Sequence, residues 1–574
     1  MAVTARDDPQ QLAPARNLGR ILDFAAASHA RAVGLLVLVA LLNFLPGFFD
    51  IPPIDRDEAR FAQATKQMLE TGNYLDIRLQ DEVRFKKPVG IYWLQAGAVR
   101  TARALGMSQA LRTIWLYRIP SLMGAVGAVL LTYWTALAFV TRRAALLAGL
   151  MMAASILLGV EARLATTDAM LVATIIAAMG ALARVYLPEQ RKWLGASEWA
   201  LPTIFWTALA AGVLLKGPVI LMFVGLAIAA LVSVDRTGRW LMALRPLPGF
   251  IWFALLVLPW FVIILSMAGE TFVTESVGTD LIPKLYSSQE GHGAPPGTYF
   301  LLFWLMFFPG SMLAGLAAPA VWAARREPGA EFLLAWLLPS WIALELVVTK
   351  LPHYILPLFP PIAILIAGIM EARMLSCSRW LTPGIVWWFI FPALLGIAGV
   401  GCLIALGHQL GLLAWAFAGG AIVVGLVAWR LYEIDGAEQS LLRGIAAALL
   451  LGFALFGVVI PSLDTLFPSP ALARILRDSG CPQPVVAASV GYHEPSLVFL
   501  AGTPTRLTDV AGAAEFLAGG ECRFAFIEAR QERYFAEHAE AIGLRYSPGP
   551  RLEAINISNG QAITMVVFRS ESPL

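Results

Sequence analysis

Residues 54–93 read IDRDEARFAQATKQMLETGNYLDIRLQDEVRFKKPVGIYW and come directly after the first long apolar run of the chain. Acidic residues come first and basic residues follow, in the order Asp55, Asp57, Glu58, Arg60, Arg84, Lys86 and Lys87. A very hydrophobic chain can keep such charges only where water or a charged ligand meets them. We therefore expect this stretch to lie at a membrane surface and to bind a lipid-linked anion.

The composition places the chain among membrane proteins. Of 574 residues, 58% are hydrophobic and only 14% are charged, and the mean hydropathy is +0.70. Soluble globular chains carry about 25% charged residues, so we expect a polytopic α-helical membrane protein. The net charge of +3 is too small to indicate nucleic-acid binding, and the sequence has no basic low-complexity tail.

Thirteen apolar runs are candidate membrane spans, because crossing the hydrocarbon core takes about 20 residues. These runs cover residues 32–50, 114–140, 144–160, 169–187, 200–215, 217–234, 248–267, 299–323, 332–349, 354–371, 383–406, 410–429 and 444–462. The two runs within 200–234 are the least clear, since each of them is short. We expect no cleavable signal, because the first apolar run is long and starts late.

Arginine and lysine are distributed unevenly between alternate loops, and this asymmetry predicts the orientation of the chain. With the N-terminus inside, the cytoplasmic turns hold several arginines, whereas the opposite turns hold mainly single lysines, which are Lys216, Lys284 and Lys350. This orientation divides the chain into a cytoplasmic segment, a transmembrane domain with its first outer loop, and an outer tail, over residues 1–31, 32–462 (loop 51–113) and 463–574.

The tail differs in character from the rest of the chain. Helical stretches (470–479 and 531–542) alternate there with short strand-like runs, at 485–490, 523–527 and 562–568. We therefore predict a small α/β domain outside the cytoplasm. Cys481 and Cys522 fall within it and could form a disulfide, since that compartment is oxidising; the alternative is two unpaired buried thiols.

The first outer loop is expected to hold two interfacial helices. Asp55-x-x-Glu58 fits a capping box, and the apolar spacing that follows is typical of an amphipathic helix ending at Gly72. Pro88 then opens the second helix. The acidic residues could therefore serve only to cap a helix, but that interpretation leaves Asp57 and the lysine pair unexplained. Carboxylates and lysines around one pocket can deprotonate an attacking hydroxyl and neutralise a departing phosphate.

The motifs of this loop resemble those of the GT-C glycosyltransferases, membrane enzymes that use polyprenyl-phosphate-linked sugars. The resemblance is strongest to the bacterial lipid A aminoarabinose transferases and the related protein O-mannosyltransferases, and it covers about residues 1–460. The matching elements are DEARFAQ (57–63), GNYLDIRL (72–79), RFKKPVGIYW (84–93), EARLATTD (161–168), LKGP (215–218), GHGAPPGTY (291–299) and TKLPHYILP (349–357). The first loop and TKLPHYILP are fairly specific, whereas LKGP alone is weak.

This resemblance implies a GT-C fold of about thirteen transmembrane helices and assigns roles to individual residues. Asp57 matches the leading catalytic carboxylate, with Glu58 beside it and Asp168 as a second acid in the same cavity. Residues expected to bind the donor phosphate or the substrate are Arg60, Lys86, Lys87, Lys216, Lys284, Lys350 and Tyr354.

Two positions depart from the pattern of the aminoarabinose enzymes. Those enzymes usually read FEKP where this chain has Phe85-Lys86-Lys87-Pro88. Lys86 puts an aminosugar donor in doubt, and its added positive charge would suit a more anionic sugar such as a uronic acid. Phe61 replaces a tyrosine that often follows the acidic pair.

The function expected from these residues is inverting transfer of a sugar from a polyprenyl-phosphate donor to lipid A or another glycolipid. The reaction would take place at the periplasmic face of a bacterial inner membrane. We expect no cofactor; a divalent cation could bind the carboxylates but is not expected to be obligatory. One alternative is a protein acceptor, as in the protein O-mannosyltransferases. Another is a transporter or lipid flippase, which the clustering of charge at outer helix ends and the lack of an internal repeat disfavour.

Overall fold

Helices form most of the chain, as the composition predicts. The computed structural model describes residues 17–187, 198–275, 278, 293–481 and 485–571. The helices before the tail are α1 (Asn17–Ala26), α2 (His29–Phe44), α3 (Asp57–Thr71), α4 (Gly90–Ala104), α5 (Ile114–Ala136), α6 (Arg142–Ala154), α7 (Ile156–Glu161), α8 (Asp168–Tyr186), α9 (Ala200–Lys216), α10 (Val219–Asp235), α11 (Pro246–Val273), α12 (Thr298–Met306), α13 (Ser311–Ala323), α14 (Pro328–Leu346), α15 (Phe359–Glu371), α16 (Trp387–Gly407), α17 (Leu412–Arg430) and α18 (Tyr432–Gly452).

The predicted multi-pass membrane fold is confirmed. Among the described residues, eight helical segments are long and apolar enough to cross a membrane, and three shorter apolar helices accompany them. Each of the thirteen predicted runs overlaps at least one of the helices given above. One predicted run is not straight, because α12 and α13 meet at 119°. Pro309 lies between them, and a proline cannot continue the hydrogen-bond ladder of a helix.

The first outer loop contains the two expected helices, α3 and α4, joined by a short hairpin of β1 (Arg78–Leu79) and β2 (Glu82–Val83). Helix α3 ends at Gly72, whose φ of 74° is accessible mainly to glycine. The predicted capping box does not form, since no side chain caps the first turn of α3. Its two acidic side chains bind elsewhere, as described below.

The tail is the predicted α/β unit. Its helices are α19 (Pro468–Arg477), α20 (Pro495–Ala501), α21 (Val510–Ala518) and α22 (Glu532–Ala541). Its strands are β3 (Val486–Val490), β4 (Arg506–Leu507), β5 (Arg523–Glu528), β6 (Tyr546–Asn556) and β7 (Gln561–Ser570). They form one sheet in the order β4-β3-β5-β7-β6, in which β3 pairs in parallel with β4 and β5. We use the name tail domain for Pro468–Ser570.

The cysteine pair lies at one edge of the tail domain. Cys481 follows α19 and Cys522 precedes β5, and the structure joins them by a disulfide with a Cα–Cα distance of 5.8 Å. This is the pairing that the sequence offered. The two other cysteines, Cys377 and Cys402, are free thiols.

Candidate functional site

A cavity of about 320 Å³ opens where the first outer loop meets the ends of several long helices. Its polar lining consists of Lys86, Lys87, Asp168, Lys216, His353 and Tyr354. The remaining walls are mainly apolar and come from α8, α10, α11 and α14, through Leu171, Val172, Val219, Met222, Phe223, Phe261, Leu344 and Val347. A cavity that is cationic at one end and apolar elsewhere fits an amphiphile with an anionic head group.

Asp168 and Lys216 form an ion pair inside this cavity. The Lys216 Nζ atom lies 2.5 Å from Asp168 Oδ1, and both side chains are less than 10% exposed. Asp168 is the first residue of α8 and Lys216 the last of α9. Each charge therefore sits at the helix end whose dipole stabilises it. The Lys216 ammonium also lies 5.1 Å from the ring centre of Tyr354, where a cation–π contact adds to its binding.

His353 places its ring between two carboxylates. Its Nδ1 atom lies 3.6 Å from Glu161 Oε1, and its Nε2 atom lies 3.7 Å from Asp168 Oδ1. His353 belongs to a 3₁₀ segment, Pro352–Leu358, in which Pro357 lacks the amide donor that a continued α-helix would need. The sequence TKLPHYILP thus places His353 and Tyr354 in the cavity wall.

The same three residues are the candidate metal ligands among the described residues. One ligand atom from each of Glu161, Asp168 and His353 lies within 4.8 Å of the others. The two carboxylates face different ring nitrogens, however, and Lys216 already neutralises Asp168. Because one of the two carboxylates is already paired with an ammonium group, the reaction proposed for this site uses no metal ion.

Asp57 and Lys87 belong to the first outer loop and influence Glu161, Asp168 and His353 electrostatically. Asp57 lies in the first turn of α3 with its side chain 57% exposed, and Arg60 Nη1 is 3.8 Å from Asp57 Oδ1. The Asp57 carboxylate is close enough to Glu161 and His353 to act on them electrostatically. Lys87 acts in the same way on Asp168 and His353. Lys87 and Asp168 therefore line the cavity, whereas Asp57 does not line it and lies close enough to act on Glu161 and His353.

Glu58 points away from the cavity and holds the loop in place. Its two oxygens accept from Arg118 Nε at 2.7 Å and Arg118 Nη2 at 2.9 Å. They also accept from the backbone N–H groups of Ile54 and Ala165. The side chains of Glu58 and Arg118 are almost fully buried. This geometry favours a structural role for Glu58 over the expected catalytic one.

Lys350 likewise has a structural position. Its Nζ atom donates to the carbonyl of Glu345 at 2.9 Å and to that of Val347, so it caps the C-terminal end of α14. Lys350 is not one of the described residues that line the cavity. The expected phosphate contact of Lys350 is therefore not supported by the geometry. Lys284 lies outside the described residues.

The sequence reasoning gave no role to Arg118, which holds Glu58, or to Glu161, which faces His353. Arg118 lies inside an apolar run, where an ionised residue is costly and signals a buried partner. Glu161 belongs to EARLATTD, but no local pattern shows that it faces His353. The available signal in both cases was a charge in an apolar segment; the identity of the partner needed the fold.

Asp55 makes its contacts with the tail domain. It accepts hydrogen bonds from the backbone N–H of Ser496 at 2.9 Å and from Ser496 Oγ at 2.6 Å. Burial raises the pKa of this carboxyl to about 7, an effect that the hydrogen bonds from Ser496 oppose and the nearby Glu494 and Glu58 increase. Like Glu58, Asp55 is thus an acidic residue of the first outer loop whose side chain faces away from the cavity.

Several known proteins are similar to this chain in sequence or in fold. The family model described as dolichyl-phosphate-mannose-protein mannosyltransferase matches residues 54–273. An undecaprenyl phosphate-α-4-amino-4-deoxy-L-arabinose arabinosyl transferase of Pectobacterium atrosepticum is 26% identical over 408 residues, 66% of each chain. A protein of the same name from Erwinia tasmaniensis is 26% identical over 518 residues, covering 84% of this chain and 87% of that protein. The match to the Pectobacterium atrosepticum protein thus spans slightly less than two thirds of its length.

Solved structures show the fold. ArnT from Cupriavidus metallidurans in the apo state matches with a TM-score of 0.72 at 18% identity, over 94% of this chain and 99% of that one. The structure of the same protein bound to undecaprenyl phosphate matches with a TM-score of 0.68 over 94% and 98% of the two chains. The chain is therefore a multi-pass membrane protein with the fold of ArnT, and its predicted resemblance to the GT-C glycosyltransferases, the lipid A aminoarabinose transferases among them, is confirmed.

Proposed function

We propose that the protein is an inverting glycosyltransferase that moves a sugar from a polyprenyl-phosphate donor to lipid A or another glycolipid. The observation that carries this proposal is the cavity, in which cationic side chains and the carboxylate of Asp168 meet apolar walls. The names of the relatives support it, since those proteins are arabinosyl transferases that use an undecaprenyl phosphate donor.

The donor phosphate would bind at the cationic end of the cavity. Lys86 and Lys87 approach from the first outer loop and Lys216 from the end of α9. An ammonium group binds a phosphate oxygen by a charge-assisted hydrogen bond, which strengthens as the phosphate gains charge. The apolar walls would take the first isoprene units, while the rest of the chain stays in lipid.

The reaction would be a single displacement at the anomeric carbon. An acceptor oxygen attacks that carbon, and the bond from the carbon to the polyprenyl phosphate oxygen breaks. The electron pair leaves on the phosphate, whose new charge Lys87 and Lys216 stabilise. Asp57 takes the proton of a hydroxyl acceptor; if the acceptor is an ionised phosphate, Asp57 instead positions the sugar. Asp168 holds Lys216 in place.

We place this reaction at the periplasmic face of the inner membrane. The support is the excess of arginine in alternate loops, which assigns the first loop and the tail domain to the outer side. A disulfide in the tail domain is consistent with an oxidising compartment. The domain limits 1–31, 32–462 and 463–574 belong to the same proposal.

A protein acceptor is the second candidate. It is favoured by one observation, the match of residues 54–273 to a family model described as a protein mannosyltransferase. Both candidates share the donor chemistry and differ only in the acceptor, so an assay that identifies the product separates them.

Mass spectrometry of lipid A from cells with and without the protein tests this proposal. We expect a sugar-sized mass increment that requires the protein and is lost in Asp57→Asn. Glu82→Gln is the matched control, because it removes an exposed carboxylate in the same loop away from the cavity. An increment that survives Asp57→Asn would exclude the role of Asp57, and unchanged lipid A with a glycosylated protein would move the acceptor to protein.

A further inference from the structure

The tail domain contacts the first outer loop two residues before Asp57. Ser496 donates both its backbone N–H and its hydroxyl to the carboxylate of Asp55, at 2.9 and 2.6 Å. The Ser496 hydroxyl is itself fixed, because it lies 2.7 Å from Ser469 Oγ, which also bonds to the Tyr492 hydroxyl. Ser496 is 1% exposed. The contact is therefore part of a buried polar network.

Further hydrogen bonds join the same two regions. The buried Lys66 of α3 donates to the carbonyl of Phe499 at 2.8 Å, and Gln63 donates to Thr503 Oγ1 at 2.9 Å. From the hairpin, Gln80 donates to the carbonyls of Thr503 and Thr505. All of these partners in the tail domain lie in a single ten-residue segment, residues 496–505. That segment therefore holds α3 along its length.

An apolar contact accompanies these bonds. Phe499 is fully buried, and its ring centre lies 5.2 Å from that of Tyr117 at the start of α5. It packs in one cluster with Ala62 and Leu69 of α3. Helix α3 is thus enclosed by the tail domain as well as by its own loop, which explains why polar residues such as Thr65 and Gln63 are buried in it.

The charged groups of this interface are costly to bury. Burial lowers the pKa of the Lys66 ammonium to about 8, whereas it raises that of Asp55. Glu58, Glu494, Tyr492 and Ser496 face Asp55 from α3, the tail loop and α20. Apolar residues would provide adhesion at lower cost, and buried polar pairs are best attested where they select one geometry.

We propose that the tail domain is a positioning element of the reaction site, in which Ser496 fixes Asp55 and thereby the first turn of α3 that carries Asp57. This proposal rests on the function proposed above. The residues that line the donor cavity belong to other segments than α3. Loosening the contact should therefore displace Asp57 and leave donor binding intact.

Steady-state kinetics of the purified full-length protein test this role, with undecaprenyl phosphate-4-amino-4-deoxy-L-arabinose and a uronic acid analogue as donors and lipid A as acceptor. For Ser496→Ala and for Asp55→Ala we expect kcat to fall at least tenfold and the donor KM to stay within about twofold. The double variant should lose no more than Asp55→Ala alone, because Asp55→Ala already removes both hydrogen bonds and Ser496→Ala only the one from the hydroxyl.

Asp55→Asn is the conservative variant, and it should keep kcat within about threefold of the wild type. Its amide can accept from the Ser496 N–H and donate to Ser496 Oγ, so both hydrogen bonds persist. Arg551→Ala is the matched control in the tail domain, because it removes an exposed ion pair with Glu532. It should change neither kcat nor KM.

The outcomes separate this proposal from the one on which it rests. A wild-type protein inactive with every donor would overturn both. An active wild type whose Ser496→Ala and Asp55→Ala variants keep full kcat would overturn the positioning role alone. A fall in kcat for Asp55→Asn as large as that for Asp55→Ala would also overturn it. If Ser496→Ala does not yield folded protein, Asp55→Ala carries the same test from the loop side.

Discussion

Two ion pairs lie close together in this molecule and are built differently. In the closed pair, Glu58 and Arg118 bind each other twice, and every carboxylate oxygen also accepts from a backbone N–H. In the open pair, Asp168 and Lys216 share one short contact and line a cavity. A pair whose bonds are all made within the protein holds structure, whereas a pair that borders a cavity can also bind a ligand.

Breaking the closed pair should have the largest effect on stability. Arg118→Met leaves the Glu58 carboxylate buried without its partner, and removing one member of a buried pair costs roughly 3–5 kcal/mol. We expect a much lower yield of folded protein and a clearly lower unfolding temperature in detergent. A variant as stable as the wild type would show that the closed pair does not hold the first loop.

Breaking the open pair should affect activity more than stability. Lys216→Met removes a cation from the cavity, and losing one group that stabilises developing charge costs on the order of 10²-fold in rate. Water in the cavity can solvate Asp168, so the unfolding temperature should fall far less than in Arg118→Met. Transfer kinetics and thermal unfolding of the two variants, measured side by side, check this contrast.

Lys86 should tune which donor is preferred. It is exposed at the rim of the cavity, where a single charge interaction is worth up to about 1 kcal/mol. We expect Lys86→Glu to lower the KM for an aminosugar donor by roughly threefold to fivefold and to raise it for a uronic acid donor. Equal changes for both donors would show that Lys86 does not contact the sugar.

The contact with the tail domain should give a small dependence of stability on pH. The pKa of Asp55 is raised to about 7 in the folded protein, so the folded state binds this proton more tightly than the unfolded chain does. The stability that this group contributes is therefore fully present below its ordinary pKa of about 4 and is lost as the pH rises to 7.

Asp55→Asn should remove this contribution, which we expect to amount to roughly 1–2 °C in the unfolding temperature between pH 5 and 8. The measurement is thermal unfolding of the wild type and Asp55→Asn over that range, with Asp509→Asn in the tail as a control for loss of a carboxylate. Parallel pH curves for the wild type and Asp55→Asn would contradict the buried position of Asp55.

Much of the fold follows from local sequence patterns, and less of the site does. Hydropathy predicted each apolar segment, and Gly72 and Pro88 marked the helix boundaries of the first loop. The cationic lining of the cavity was also predictable, since Lys86 and Lys87 belong to the motif RFKKPVGIYW and Lys216 belongs to LKGP. The partners of Glu58 and Asp55 were not, because Arg118 and Ser496 are 60 and 441 residues away.

The role of Lys350 could not be predicted from the sequence either. A lysine at the outer end of a helix has the same sequence pattern whether it binds a phosphate or caps the helix. Only the carbonyls of Glu345 and Val347 around its ammonium distinguish the two. The catalytic role of Asp57 and the domain limits stay predictions.

The most direct test of the proposed reaction is sugar transfer by the purified protein and its Asp57→Asn variant, from undecaprenyl phosphate-4-amino-4-deoxy-L-arabinose or a uronic acid analogue to lipid A. We predict inverting transfer by the wild type and a loss of about 10²–10⁴-fold in kcat for the variant, with undecaprenyl phosphate binding unchanged. Full transfer by Asp57→Asn would contradict the assignment of Asp57. No transfer by the wild type to any glycolipid or protein acceptor would contradict the proposed function.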